Sequence, residues 1–230
     1  GMTVLFAAGN ETDDGVSPPG TAKNVITVGA HVNRYSSDAA DEMYYWSSRG
    51  PTDDGRIKPD IVAAGDYVRS CKAQEAEEAT GTTDGDWYLE YSGTSMATPA
   101  AAGASALIRE YLMEIAERPE PQGALVKAML ILGAEDMGVR DIPNNDEGWG
   151  RINLVNSLLP GSGSDSDVGI FVDDRSRLSS GQEASYNFDV TRSGEPLKVV
   201  LAWSDYPGST FSSTQLRNDL NLEVTSPDGT

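Results

Sequence analysis

The residues with the most chemical promise form one string, Ser92-Gly-Thr-Ser-Met-Ala-Thr-Pro99. Gly93 lets the backbone turn sharply, and Ser95 then opens a helix. The first N–H groups of a helix have no partner inside it, and the positive end of its dipole faces the same space. A serine hydroxyl held there can attack a carbonyl carbon, while its own N–H helps hold the oxyanion that forms. The plain alternative is that Thr94 or Ser95 only caps the helix. The whole eight-residue string favours the nucleophile. Cys71 and His31 are the chain's single cysteine and single histidine. No intrachain disulfide is therefore possible, and Cys71 reads as a packed structural thiol after a strand.

The elements that must position Ser95 follow from the apolar pattern. Thr3 to Ala8 and Val25 to Ala30 are short apolar runs of the kind buried in a parallel sheet. Between them lies a polar loop, 10–24, with the turn signal Pro18-Pro19-Gly20. Asp60 to Ala64, Tyr67 to Ser70 and Trp87 to Tyr91 read as further strands. A helix is expected from Ser95 to Glu117, with Met96, Ala100, Ala104, Leu107, Ile108, Tyr111 and Ile115 as its apolar positions. Pro99 sits near its first turn, and Pro119 and Pro121 close it. A second helix is expected from Gln122 to Gly133.

Beyond these the composition changes. Residues 161–167, after Pro160, read as a flexible acidic linker. Val168 to Val172, Ala184 to Val190, Leu197 to Trp203 and Leu220 to Thr225 then look like strands bounded by turn residues. The expected domains are 1–160, α/β, and 168–230, all-β. The formal net charge of −19 offers no basic patch for nucleic acid. No apolar run is long enough to span a membrane. The acidic balance suits solubility in a salty or extracellular setting, or carboxylates that bind calcium. Gly1 ahead of Met2 looks like a cloning remnant, and no signal peptide is visible.

The serine string resembles the active-site motif of the subtilase family of serine endopeptidases. Val4 to Asn10 resembles that family's strand ending in the oxyanion-hole asparagine, followed in order by Pro18-Pro-Gly20 and Asn24 to Ala30. Trp46 to Pro51 and Lys58 to Gly65 match the next block, with Ala64 where proline is usual. Gly148 to Asn153 resembles the segment that closes the catalytic domain. Leu197 to Asp205 and Asn218 to Gly229 are similar, more weakly, to the β-sandwich that follows it in one alkaline branch. The implied fold is part of a three-layer α/β/α domain with a parallel sheet, followed by an incomplete antiparallel, jelly-roll-like sandwich.

The resemblance makes Ser95 the nucleophile and Asn10 a donor to the oxyanion; otherwise Asn10 would be a turn residue. Ala7, Ala8 and Gly9 would line one wall of the primary specificity pocket, with Pro19 and Gly20 opposite, and Gly93 and Thr94 beside the nucleophile. Small side chains there leave room for a large apolar one. A cis bond before Pro19 is expected, as in relatives. Secretion and peptide or protein substrates also follow from it. Calcium is the cofactor expected of the intact protein from its acidic loops, without assigned ligands. Asp13, Asp14, Asp205 and Asp219 lie in candidate loops, none with EF-hand spacing. Zinc is disfavoured by one His and one Cys.

The chain departs from the family where the acid and base should stand, upstream of Asn10. His31 lies after Asn10 and reads as structural or exposed. A serine without a base is a weak nucleophile, so the chain alone is expected to be inactive. The expectation is a partial reading frame or one piece of a processed enzyme, with a bare sheet edge that invites self-association. Two other readings stand beside it: a non-catalytic binding module with a relic protease half, and an acid-acting relative. Asn10, where that last branch would have aspartate, speaks against it.

Overall fold

The computed structural model describes residues 1–33, 41–73, 82–84, 87–138, 140–159, 168–174, 176–191 and 196–227. Three short strands form a parallel sheet: β1 (Leu5–Ala7), β2 (Ile26–His31) and β3 (Ile61–Ala64), in the order β1-β2-β3. Phe6 lies opposite Thr27, and Gly29 opposite Val62. Every residue of β2 is buried. That is why its sequence runs apolar without alternation, since both faces are covered. The segment around Gly150 docks beside β3: the Val62 N–H donates to the Gly150 carbonyl (3.0 Å), and the Ile152 N–H to the Val62 carbonyl (3.0 Å). β1 is paired only on its β2 side among the described residues.

A second, antiparallel sheet has the order β4 (Val68–Cys71), β6 (Tyr88–Tyr91), β5 (Thr82–Asp84). Cys71 is exposed and free, which corrects its reading as a packed thiol. It ends a strand of that sheet, facing Tyr88, with no core behind it.

Helix α1 (Thr94–Glu114) packs on β1, β2 and β3, and α2 (Gly123–Gly133) packs on α1 and on the short α3 (Leu154–Leu158). The buried stripe of α1 is Thr94, Ala97, Ala101, Ala104, Ser105, Ile108 and Leu112. Its apolar members, Ala97, Ala101, Ala104, Ile108 and Leu112, join Ile26, Val28, Ile61, Val126 and Leu130 in one core. The expected stripe was partly out of phase: Leu107 is 49% and Ile115 70% exposed. So many residues of this helix are apolar that periodicity alone does not choose the face; the sheet does. Pro99 lies inside α1, deeper than expected, and removes the bond that the Ser95 carbonyl would otherwise accept.

After residue 168 none of the described residues belongs to a helix or strand, so the expected β-sandwich is not formed by them. An alternating segment becomes a strand only when a partner pairs its backbone and a second layer covers its apolar face. Here Phe171, Phe188, Val190, Leu197 and Val224 stay exposed. The expected linker, 161–167, lies outside the described residues, as does the end of the final turn at 228–230. No helix among the described residues is long and apolar enough to cross a membrane.

Candidate active site

Ser95 is the second residue of α1 and is exposed, so its hydroxyl opens to solvent while Thr94 before it is wholly buried. The turn that delivers it depends on Gly93, whose φ of 143° suits glycine. A Cβ there would lie 3.3 Å from the Asn10 Oδ1. The Gly93 N–H donates to the Gly65 carbonyl (2.6 Å), just past the end of β3. Ser92 adds a second tie. Its hydroxyl accepts from the Tyr67 N–H (2.7 Å) and donates to the buried Asp66 carboxylate (3.1 Å).

Asn10 reaches the same turn from the end of β1. The Thr94 N–H donates to the Asn10 Oδ1 at 2.9 Å, and the Thr94 hydroxyl lies 3.1 Å from the same atom. A backbone N–H can only donate, so the oxygen of the carboxamide faces Thr94 and its Nδ2 faces away as a donor. Asn10 is exposed, so that donor end is open to a ligand. The first-turn N–H of Ser95 has no partner within the helix. A hydroxyl, a carboxamide N–H and a helix-end N–H thus come from adjacent residues of two segments that Thr94 bolts together. Such a set can hold a carbonyl oxygen as it gains charge.

Gly9 completes the bolt. Its φ is 111°, and a Cβ would sit 2.7 Å from the Ser48 Oγ. Its N–H donates to the Thr94 hydroxyl oxygen (3.2 Å), and its carbonyl accepts from the Ser48 N–H (2.9 Å). The Glu11 N–H donates to the Ser48 Oγ (3.1 Å). Asp66 was not singled out from the sequence, and Ser48 and Ser92 were read only as members of their strings, without a role of their own. A hydroxyl or carboxylate next to a motif gives no local sign of which backbone group it will bond.

Gly20 and Ala7, expected on opposite walls of the pocket, approach closely. A Cβ on Gly20 would lie 3.3 Å from the Ala7 carbonyl oxygen. Ala8 and Gly20 are buried, Ala7 and Gly9 are half-buried, and Pro19 is exposed. The Pro18–Pro19 bond is cis, as expected. The Gly20 carbonyl accepts from the Thr27 hydroxyl (2.5 Å). Behind it lies a buried charge cluster. The Lys58 Nζ donates to Thr27 Oγ1 (2.7 Å), to the Val25 carbonyl (3.1 Å) and to Asp60 Oδ2 (2.6 Å), while Lys127 reaches Asp60 Oδ1 (2.5 Å). Burial drives the Lys58 ammonium down to about 8, against the pull of Asp60. Burial works to raise Asp60, but Lys127 and Lys58 more than reverse this and hold it below the usual carboxylate range.

Two cavities, of about 610 and 270 Å³, have linings that include neither Ser95 nor Asn10. His31 is buried at the end of β2, with Nδ1 2.8 Å from the Val32 carbonyl, and burial lowers its pKa.

The acidic candidates separate clearly. Asp205 is saturated by donors: Lys23 and the Arg217 N–H on Oδ2, the Asn218 N–H and Nδ2 on Oδ1. It has no lone pair to spare for a metal. Asp14 and Asp219 are exposed, and the side chain of Asp13 lies outside what is described. Asp136, Asp141 and Glu147, none of them expected, can bring carboxylate oxygens within 4.8 Å of one another. Asp136 Oδ1 there is buried without a hydrogen-bond partner. Burial pushes the Glu147 carboxyl up, and the neighbouring Asp136 and Asp141 add to the shift.

The chain is similar to several serine proteases. Serine protease AprX of Bacillus subtilis is 36% identical over 69% of this chain and 35% of its own length. The serine protease/ABC transporter B family protein tagD of Dictyostelium discoideum is 30% identical over 78% of this chain and 13% of its own. An intracellular serine protease of Paenibacillus polymyxa is 34% identical over 57% of this chain and 36% of its own. The chain thus spans about a third or less of these relatives. The profile of the Subtilase family, peptidase S8, matches residues 1–150, a stretch that holds Ser95, Asn10 and both pocket walls. The chain therefore belongs to the subtilase family.

Proposed function

We propose that this chain is the serine-bearing part of a serine endopeptidase acting on peptide or protein substrates. The observation that carries the reading is the 2.9 Å bond from the Thr94 N–H to Asn10 Oδ1, which holds the Asn10 carboxamide at the residue next to Ser95 with its Nδ2 turned away from Thr94. In this reading Ser95 Oγ attacks the scissile carbonyl, and Asn10 Nδ2 and the Ser95 N–H hold the oxyanion. The base and acid of the triad come from residues beyond this chain, since its one histidine is committed to β2. The chain alone is then inactive.

A fluorophosphonate label read by mass spectrometry tests this. The 230-residue chain should label negligibly. The intact protein should label at Ser95, and Ser95→Ala should abolish it. Asn10→Ala should slow turnover; the about 10²–10³ loss in kcat known for subtilisin's own oxyanion asparagine is a borrowed figure. No label at Ser95 in the intact protein would sink the proposal.

Four further points belong to the same proposal. Calcium is the cofactor to test, with Asp136, Asp141 and Glu147 as the carboxylates nearest to a ligand set. A sandwich after residue 168 in the intact protein is supported by Phe171, Tyr186 and Phe188, whose rings contact one another, with the last two spaced by two residues as on one strand face. Self-association through the β1 edge is supported by exposed Val4 and Phe6. Secretion rests on the acidic balance and the family, against a relative named as intracellular.

A further inference from the structure

The loop that carries the Pro19–Gly20 wall is held at both ends by lysine–aspartate pairs, the inner one buried and the outer one partly so. The inner end is the Lys58–Asp60–Thr27 cluster on the Gly20 carbonyl. The outer end is Lys23, and its partner comes from far along the chain. The Lys23 Nζ donates to Asp205 Oδ2 (2.6 Å), the Tyr206 carbonyl (2.6 Å) and the Gln215 carbonyl (2.5 Å). An ammonium has three protons, and each has its acceptor. Next to it Asn24 and Asp205 exchange two bonds: Asn24 Nδ2 to the Asp205 carbonyl (2.8 Å), and the Asp205 N–H to Asn24 Oδ1 (2.9 Å). The Gln215 N–H donates to Asp54 Oδ2 (3.0 Å), a third tie to the α/β half.

Between these two anchors the loop has little of its own. Gly20 and Ala22 make turn bonds to the Ser17 and Pro19 carbonyls, and no ladder bond fixes the segment before β2 begins at Ile26. Lys23 is only three residues from Gly20. A shift at Lys23 would reach the wall through the short Pro19–Ala22 turn, whose own supports are two turn bonds and the Thr27 hydroxyl on Gly20. The 205–218 segment lies outside the residues matched by the family, 1–150.

We propose that residues 205–218 are an outer brace for the specificity pocket, with Lys23 and Asp205 as positioning residues that act through the 20–24 loop. This rests on the protease reading for its consequence, but not for its geometry. Substrate selection by the intact protein then depends on its C-terminal region as well as on the subtilase domain.

The test uses Lys23→Met, Asp205→Asn and the conservative Lys23→Arg. In the 230-residue chain, amide exchange should quicken by about tenfold or more in a peptide covering 17–25 in the first two variants, with β2 and α1 unchanged. Lys23→Arg should keep most of the protection. Unchanged exchange at 17–25, despite release of 205–218, would overturn the brace. So would an increase spread evenly over the whole chain. If Lys23→Met fails to fold, Asp205→Asn decides, since it keeps the side-chain shape and an acceptor. In the intact protein, KM for substrates with a large apolar residue before the scissile bond should rise about five- to tenfold with kcat kept, and Lys23→Arg should restore it. An intact protein without peptidase activity would end the protease reading and leave the exchange result to judge the brace.

Discussion

Two lysine–aspartate pairs at the ends of one loop have the same length and different origins. Lys58 and Asp60 are two residues apart, both nearly inaccessible, and 2.6 Å from nitrogen to oxygen. Lys23 and Asp205 are 182 residues apart, also close to buried, and also 2.6 Å apart. The inner pair belongs to the core that α1 and the parallel sheet build. The outer pair joins that core to a segment with no regular structure among its described residues. Local sequence creates one contact and the path of the chain creates the other, so they should fail differently.

Removing the inner carboxylate is the largest break. Asp60→Ala leaves the Lys58 and Lys127 ammonium groups without their shared anion, and the Thr27 N–H without its acceptor at 2.7 Å. Breaking a buried pair from one side costs about 3–5 kcal/mol. Urea unfolding should show that loss globally, with α1 and the sheet melting together. A loss below about 1 kcal/mol would mean that water already reaches the cluster.

Breaking the outer pair should cost less and stay local. In Lys23→Met the Asp205 carboxylate keeps the N–H donors of Arg217 and Asn218, so it is not orphaned. The Tyr206 and Gln215 carbonyls lose a donor, for a loss of about 1–3 kcal/mol. Differential scanning calorimetry should show a small drop or a separated early transition, while Asp60→Ala lowers the main one. Equal, single-transition losses in both variants would erase the distinction between the pairs.

The contrast also marks what could be read from the residues. The local geometry at Ser95, Asn10, Ala7 to Gly9 and Pro19–Gly20 was legible because each lies in a short string that nearly dictates it: a glycine turn into a helix, a strand end, a proline turn. The core strands were legible because burial on both faces forces apolar runs. The phase of α1 was not, because a helix rich in alanine and leucine is apolar on several faces and only the sheet selects one. The strands after residue 168 were not borne by alternation alone, since pairing partners decide whether an alternating segment becomes a sheet. Thr94 was read as a cap or a neighbour of the nucleophile, and its larger work, bolting Asn10 and Gly9 to the helix start, depends on two segments 84 residues apart. Asp205 was read only as a loop carboxylate that could bind calcium, and Lys23 gave no sign, as nothing in either string names the other.

A further effect separates the pairs by pH. The Lys58 pKa of about 8 in the folded protein lies below the value of about 10.4 for a free lysine. Between those values the unfolded chain binds more protons than the folded one, so this group makes stability rise with pH across that window and is at its most costly below it. For Asp205 the shift runs the other way. Burial works to raise it, but Lys23 and the Arg217 and Asn218 N–H groups hold it well below the usual carboxylate range. Its contribution is present above the unfolded value of about 3.9 and fades only as pH falls through the folded one. Stability of the chain minus that of Lys58→Met, followed by urea midpoints, should therefore climb between about pH 8 and 10, and the same difference for Asp205→Asn should be flat there and shrink only in acid. A flat Lys58 difference would place its ammonium in water, and with it the inner support of the Gly20 wall.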